Sequence, residues 1–429
     1  MNNKIPTLQI LKYMGNKRAL LPWLITNIEP YLKEGKSIVD LFSGTASVGY
    51  ALKPKYKIIA NDIQEYSSII SEALLKFNYS IKDNDFDNNL NENYLSHLTL
   101  LEDVFCLYLK KENKLLKADP DLYFNFSNTA PLFGRTVTNK KLSQFYHLDF
   151  LNRKRQNPKS LPYILFSLYY SHTFYSLRQC IEIDSLRYAI DQIKSKVKRS
   201  VYLSCLLFAI NKSVSSTGHF AEHLNANSVS GKSRIMQYRK VSVYDNFLKK
   251  LNDFRGMCIN NAYKNEVYNL DYKELIFKLK SENRLDEVGL FYIDPPYTST
   301  QYSRFYHIPE TLVKYDYPII TKHRLREGLS QGRYREERYQ STFSQLRKAK
   351  DSFHEMFRVL SENTNATLAL SYSDNSIIKP IDDLIEIAKQ YYTVSIVKNG
   401  YSHSAQGSRF SSNGKGAKPI HEHIIICRN

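Results

Sequence analysis

Cysteine, tryptophan and acidic side chains are scarce in this 429-residue chain, and each shortage excludes something. The five cysteines (Cys106, Cys180, Cys205, Cys258, Cys427) are odd in number, far apart and without a C-x-x-C pair. Neither a disulfide framework nor a zinc site is indicated, which points to a reducing compartment. Long apolar runs are missing too. The most apolar stretches, near 161–170 and 201–210, are too short to span a bilayer. The opening Met-Asn-Asn-Lys-Ile-Pro lacks the apolar core of a signal peptide, so a cytoplasmic location is expected, with no membrane partner. Acids number 42 against 60 Lys and Arg, a net charge of +18. An AT-rich genome would supply Lys and Asn but gives no reason to deplete acids. The excess suggests a polyanionic partner, because basic side chains release counterions from phosphates.

What is present is a broken α/β pattern. An apolar strand is expected over 37–42 (SIVDLF), then a tight turn, a helix over 46–52, and a second strand over 56–60 closed by Asn61-Asp62. That is the opening of a nucleotide-binding unit. From about residue 80 the composition turns to Asn, Lys and aromatics, with helices expected at 185–198 and 201–212. Strands resume at 266–270 and 288–293 (VGLFYI), the latter apolar throughout, as in a central strand buried on both faces. A helix over 344–360, a strand over 367–372, a helix over 381–391 and strands near 393–397 and 423–427 follow. The expected architecture is an α/β, Rossmann-like fold. Its catalytic domain is formed by 1–80 and 261–429, and 81–260 is a mainly helical insertion.

The turn after the first strand reads Phe42-Ser-Gly44-Thr-Ala-Ser-Val-Gly49. It is not G-x-G-x-x-G, which would need glycine at Ala46, and not a Walker A loop, because Tyr50-Ala51 follows Gly49. Without either phosphate cradle, the loop suits an adenosine ligand that has no pyrophosphate. Asp62, 18 residues after Gly44, is placed for ribose hydroxyls. At the end of the VGLFYI strand stands Asp294-Pro295-Pro296-Tyr297. Two prolines stiffen the loop and remove backbone donors. A carboxylate and a carbonyl together suit an amino group that must give up two hydrogen bonds. Accepting both hydrogens localises the nitrogen lone pair for attack. Tyr297 offers a face for base stacking, worth about 1–3 kcal/mol.

Three segments resemble the Dam-like (D12 class, alpha group) N6-adenine DNA methyltransferases: Leu11-Lys-Tyr13-Met-Gly15-Asn-Lys17, Val39-Asp-Leu-Phe42-Ser-Gly44, and Asp294-Pro-Pro-Tyr297. Their order is the order of that group, and the resemblance covers about 1–75 and 265–429. It implies S-adenosylmethionine as methyl donor, with S-adenosylhomocysteine as product, and a flipped-out adenine of double-stranded DNA as acceptor. By position, Tyr13, Lys17, Phe42, Gly44, Asp62, Asp271 and Asp294 match cofactor-binding residues, with Lys17 toward the methionine carboxylate. Asp294, Pro295, Pro296 and Tyr297 match the catalytic loop. Ala46 departs from the family, which usually has a second glycine there; Gly49 is the substitute for the close approach. Tyr13 stands where a tryptophan is common. No metal is called for, since a sulfonium is already an activated donor. His421 and His423 are expected on a sheet edge.

Arginines mixed with aromatics follow the catalytic loop: Arg304 in Gln301-Tyr302-Ser303-Arg304-Phe305-Tyr306-His307, then Arg324, Arg326, Arg333, Arg335 and Arg338. They are expected to bind DNA through phosphates and stacked bases. The loop 402–418 and the turn Ser215-Ser-Thr-Gly218-His219-Phe220 are further candidates to face DNA. A site-specific enzyme of a restriction-modification system is expected, with a restriction endonuclease as functional partner and a monomer as the simplest state. Methylation of RNA adenine or of cytosine N4, and an inactive DNA-binding protein on the same fold, remain open alternatives.

Overall fold

The computed structural model describes residues 8–77, 88–256, 261–325, 327–399 and 421–429. Arg326, Cys258 and the loop 402–418 lie outside them. Among the described residues, strands β1 (Ser37–Asp40), β2 (Ile58–Asn61), β3 (Glu266–Tyr268), β4 (Val288–Ile293), β5 (Thr367–Ser373), β6 (Thr393–Asn399) and β7 (Glu422–Arg428) form one sheet. The order is β3-β2-β1-β4-β5-β7-β6. The first five neighbours pair in parallel, and β7 runs antiparallel between β5 and β6. The expected strands are all present, and their ends differ by at most two residues. One expectation fails: β7 is interior to the sheet, so His421 and His423 do not mark an edge.

Alternation along the strands separates two cores. Ile38, Ile58, Leu290, Tyr292, Ala369, Ile424 and Ile426 face one side, where the helices Leu21–Ile28 and Glu65–Lys76 and the long helical region pack. Val39, Ile59, Phe291, Ile293, Leu368, Leu370 and Ile425 face the other, against Leu275, Phe353, Met356, Phe357 and Leu384. Each such side chain removed from water contributes roughly 1.5–3 kcal/mol. Every residue of β4 and β5 is buried, because both faces are covered.

The helices between β2 and β3 begin earlier than their apolar patterns suggest. Ser176 and Gln179 form a reciprocal capping box, so the first long buried helix spans Leu177–Asp191; Ser195 caps the next, Lys196–Ser213. After β4, the helix expected from 344 begins only at Ala349, because Thr342–Ser344 forms a tight 3₁₀ turn. Among the described residues no helix is long and apolar enough to cross a membrane.

The helical region is tied to the segment that follows the catalytic loop by one buried carboxylate. Asp184 accepts from the Phe166 and Ser167 amides (2.9 and 2.8 Å), from Ser167 Oγ (2.7 Å) and from the Tyr315 hydroxyl (2.6 Å). Arg187, one turn on, donates to the carbonyls of Leu312 and Val313. Removing Asp184 leaves several buried donors unpaired at once. We expect Asp184→Ala to lower stability by about 2–4 kcal/mol in urea titrations; a loss under about 0.5 kcal/mol would show that water satisfies those donors.

Candidate active site

β1 has β2 on one side and β4 on the other, so the chain turns outward in opposite directions from their C-terminal ends. Ligands bind at such a switch point in open α/β sheets. Here a pocket of about 990 Å³, counted to its open mouth, is lined by the segments 13–17, 40–45, 47–48, 61–64, 270–272, 294–297 and 301–303, together with Tyr292, Tyr339 and Ser341. Tyr13, Lys17, Phe42, Gly44, Asp62, Asp271, Asp294, Pro295, Pro296 and Tyr297 are thus brought around one cavity.

The loop after β1 is shaped by its backbone. Gly44 has φ +51°, and a Cβ there would come within 3.1 Å of the Tyr13 ring. Its amide donates to Asp62 Oδ2 (2.9 Å), while Gln64 N donates to Oδ1 (2.8 Å), so Asp62 ties the two strand-end loops together. Ala46 also adopts a left-handed conformation (φ 54°, ψ 25°) and precedes the helix Ser47–Leu52. The position that departs from the family is therefore one where glycine would sit without strain. Gly49 does not replace it. It lies on that helix with Ile58 and Leu75 against it, a helix–sheet contact away from the pocket lining. Across the pocket, Asp271 caps the helix Tyr272–Ser281, and Phe42 packs on Tyr272 and Phe343.

At the end of β4, Asp294 meets Lys17 at 3.4 Å. The same ammonium donates to the Tyr297 hydroxyl (2.6 Å) and to Glu422 Oε2 (3.2 Å), and it is only 4% exposed. Lys17 is thus committed to protein groups, and a ligand carboxylate would have to share it. Burial works against its charge, but Asp294, Tyr297 and Glu422 outweigh that and hold Lys17 well above the ordinary ammonium range. Burial pushes Asp294 up to about 6, against the opposing pull of Lys17. It pushes Asp62 up to about 6 as well, and Asp40 up to about 8 with the help of its neighbours Asp294 and Asp62. The Pro296 carbonyl accepts from Ser344 Oγ (2.8 Å), which fixes the loop.

Sequence reasoning missed three kinds of residue here. Asp40, the last residue of β1, has a buried Oδ1 with no hydrogen-bond partner among the described residues. Tyr302 and Tyr306 clamp the N-terminal segment: Met14 N donates to the Tyr306 hydroxyl (2.7 Å), Tyr302 donates to Met14 O (3.3 Å), and Tyr13 stacks on Tyr306 (4.8 Å). Glu422 comes from the far end of the chain. Each stood in a quoted motif or beside one, but only the fold shows where it points.

The arginines divide. Arg333 is 6% exposed and donates to the Phe133 carbonyl; Arg335 is 5% exposed and pairs with Asp316. Both guanidinium groups are buried, Arg333 on the helical region and Arg335 on Asp316, away from the surface where DNA contacts were expected. Arg304, nearly half exposed, lies over Tyr334 (5.3 Å) and pairs with Glu222 (2.9 Å); Arg338 lies over the same ring at 4.9 Å, and Arg324 is exposed. Of the turn 215–220, only Thr217, Gly218 and His219 reach the surface. His421 and His423 both bond Asp374 (2.8 and 2.6 Å), and no metal-binding group occurs among the described residues.

The strand-end pocket thus has an acid-proline-proline-tyrosine loop in its wall. The sequence profile of the D12 class N6 adenine-specific DNA methyltransferases matches residues 13–132 and 138–368, and the chain belongs to that family. It is 24% identical over 428 residues to modification methylase LlaI of Lactococcus lactis subsp. lactis, covering 97% of this chain and 55% of that protein. It is 25% identical to type II methyltransferase M.FokI of Planomicrobium okeanokoites (72% of this chain, 38% of that one). It is 21% identical to modification methylase StsI of Streptococcus sanguinis (90% and 47%). The chain therefore spans roughly half the length of these curated relatives.

Asp40 yields a test of the site's electrostatics. Its carboxyl is raised on folding, so its ionisation weakens the fold as pH climbs from the ordinary carboxylate range toward about 8. The ligand-free protein should lose melting temperature between pH 6 and 8.5, and Asp40→Asn should lose clearly less. Parallel slopes for the two proteins would show that Asp40 is not the titrating group.

Proposed function

We propose that this chain transfers a methyl group from S-adenosylmethionine to N6 of an adenine flipped out of duplex DNA. The observation that carries the reading is the juxtaposition of Asp294 and the Pro295-Pro296 loop with the Gly44/Asp62 pocket at one sheet switch point. The acid lining suits a ligand bearing a sulfonium and an ammonium, and the unpartnered Asp40 oxygen is a buried acceptor waiting for a donor. Asp62 would hold the ribose, Phe42 and Asp271 the adenine ring, and the Gly44 loop would lie against the chain of the ligand beside Tyr13. When bound, the cofactor supplies an electrophilic methyl group.

The residues of this chain do the rest by position and charge. Asp294 and the Pro295 carbonyl accept the two amino hydrogens of N6 and turn its lone pair toward the methyl carbon. A cofactor held by Asp62, Phe42 and Asp271 would supply the methyl carbon to N6, and its sulfur would keep the electron pair of the bond given up. The proton that N6 then sheds passes to the Asp294 carboxylate and on to solvent. Tyr297 walls the base pocket, and unstacking the adenine costs a few kcal/mol. Arg304 and Arg338, stacked on Tyr334, and the exposed Arg324 supply phosphate contacts at the rim. The names of the relatives favour a role in restriction-modification, with an endonuclease reading the same site as functional partner.

The test is incubation with methyl-labelled S-adenosylmethionine and, separately, duplex DNA, single-stranded DNA and RNA, followed by nucleoside analysis. N6-methyladenine from duplex DNA is expected, with Asp294→Ala slower by at least about a hundredfold. Label in RNA or in cytosine would overturn the acceptor, and tight DNA binding with no label anywhere would overturn the activity. The rate should also fall as pH drops through about 6, where Asp294 takes up a proton.

A further inference from the structure

Glu422 opens β7, opposite Ser373 of β5 and Asn399 of β6, and it is 5% exposed. Because β7 runs antiparallel, its first residues lie at the C-terminal ends of the parallel strands, beside the pocket. Strand alternation sends its neighbours the other way: His421 and His423 both grip Asp374 in the turn after β5. The strand start is therefore anchored from outside, while Glu422 reaches in to Lys17 Nζ at 3.2 Å. That ammonium also lies 3.4 Å from Asp294 Oδ1. One buried cation thus lies within ion-pair distance of two carboxylates. Glu422 lies beyond the residues matched by the family profile, which end at 368.

We infer that Glu422 is a positioning residue for the methyl transfer: by sharing Lys17 with Asp294, it keeps Asp294 from being neutralised in a closed ion pair. A carboxylate paired one-to-one with a buried ammonium is a poor acceptor for a neutral amino group. With Glu422 drawing on the same cation, the ionised Asp294 keeps the higher basicity with which it orients N6 and takes its proton. The groups facing Asp294 are Lys17, Glu422, Asp40 and the phenols of Tyr292, Tyr297 and Tyr302; those facing Lys17 are Asp294, Glu422, Tyr292, Tyr297 and Tyr302. Of these, Glu422 is the negative charge that bears directly on both members of the pair. The inference rests on the transfer reaction proposed above.

The experiment uses the full chain as wild type, Glu422→Gln and Glu422→Asp, with two readouts. The first is the pH profile of kcat and KM for DNA methylation. The second is the carboxyl titration of Asp294, followed by ¹³C NMR on aspartate-labelled protein and assigned with Asp294→Asn. In Glu422→Gln the acid limb and the Asp294 midpoint should both move down by about one pH unit. The plateau kcat should fall about tenfold as the acceptor weakens, with both KM values within about twofold. Glu422→Asp keeps the charge and should hold the limb at its wild-type place. A Glu422→Gln protein that melts like wild type but shows no movement of limb or midpoint overturns the inference, because a mere brace would leave both where they were. If the wild type makes no N6-methyladenine, the midpoint still decides the electrostatic claim, and the failure belongs to the proposed reaction alone.

Discussion

A lysine ammonium buried in the wall of an open pocket organises this molecule. Taking such a charge out of water costs several kcal/mol unless it is paired and hydrogen-bonded. Lys17 meets that condition only if two distant pieces of chain converge on it: Asp294 and Tyr297 after β4, and Glu422 at the start of β7. The N-terminal segment that carries Lys17 is itself held by the hydroxyls of Tyr302 and Tyr306. Each of these contacts is locally modest. Together they make the catalytic loop, the first turn of the chain and the last strand into one rigid unit, which is what positional catalysis requires.

The cost shows elsewhere in the pocket. Asp40, Asp62 and Asp294 crowd the same strand ends, and burial raises all three. A wall of carboxylates that resist ionisation is poor design for a stable empty protein and good design for holding a cation. Stability and function pull in opposite directions here, as they commonly do at binding sites.

Much of this was legible in the sequence, for identifiable reasons. The strands were readable because β4 is apolar throughout and because Ser43-Gly44 and Asn61-Asp62 close the first two apolar runs. Gly44, Asp62 and Asp294 could be placed in one pocket because the C-terminal ends of parallel strands necessarily gather. The arginines were not sorted by spacing alone. Arg304 and Arg335 look alike in sequence, and only the packing of Asp316 and of the helical region buries one and leaves the other at the rim. Helix starts were also missed where a cap such as Ser176, rather than apolar periodicity, sets the boundary. The place of β7 in the sheet interior was marked by its unbroken Ile424-Ile425-Ile426-Cys427 run, the sign that placed β4, but the histidines before it drew the reading to an edge.

The contact between Lys17 and Glu422 joins residues 405 positions apart. During synthesis the pocket therefore stays unfinished until the last strand has left the ribosome and slotted between β5 and β6. Long-range closure of this kind comes late, because loop entropy must be overcome before the contact rewards it. A nascent or C-terminally clipped chain holds its acidic pocket without the full set of partners for the buried lysine.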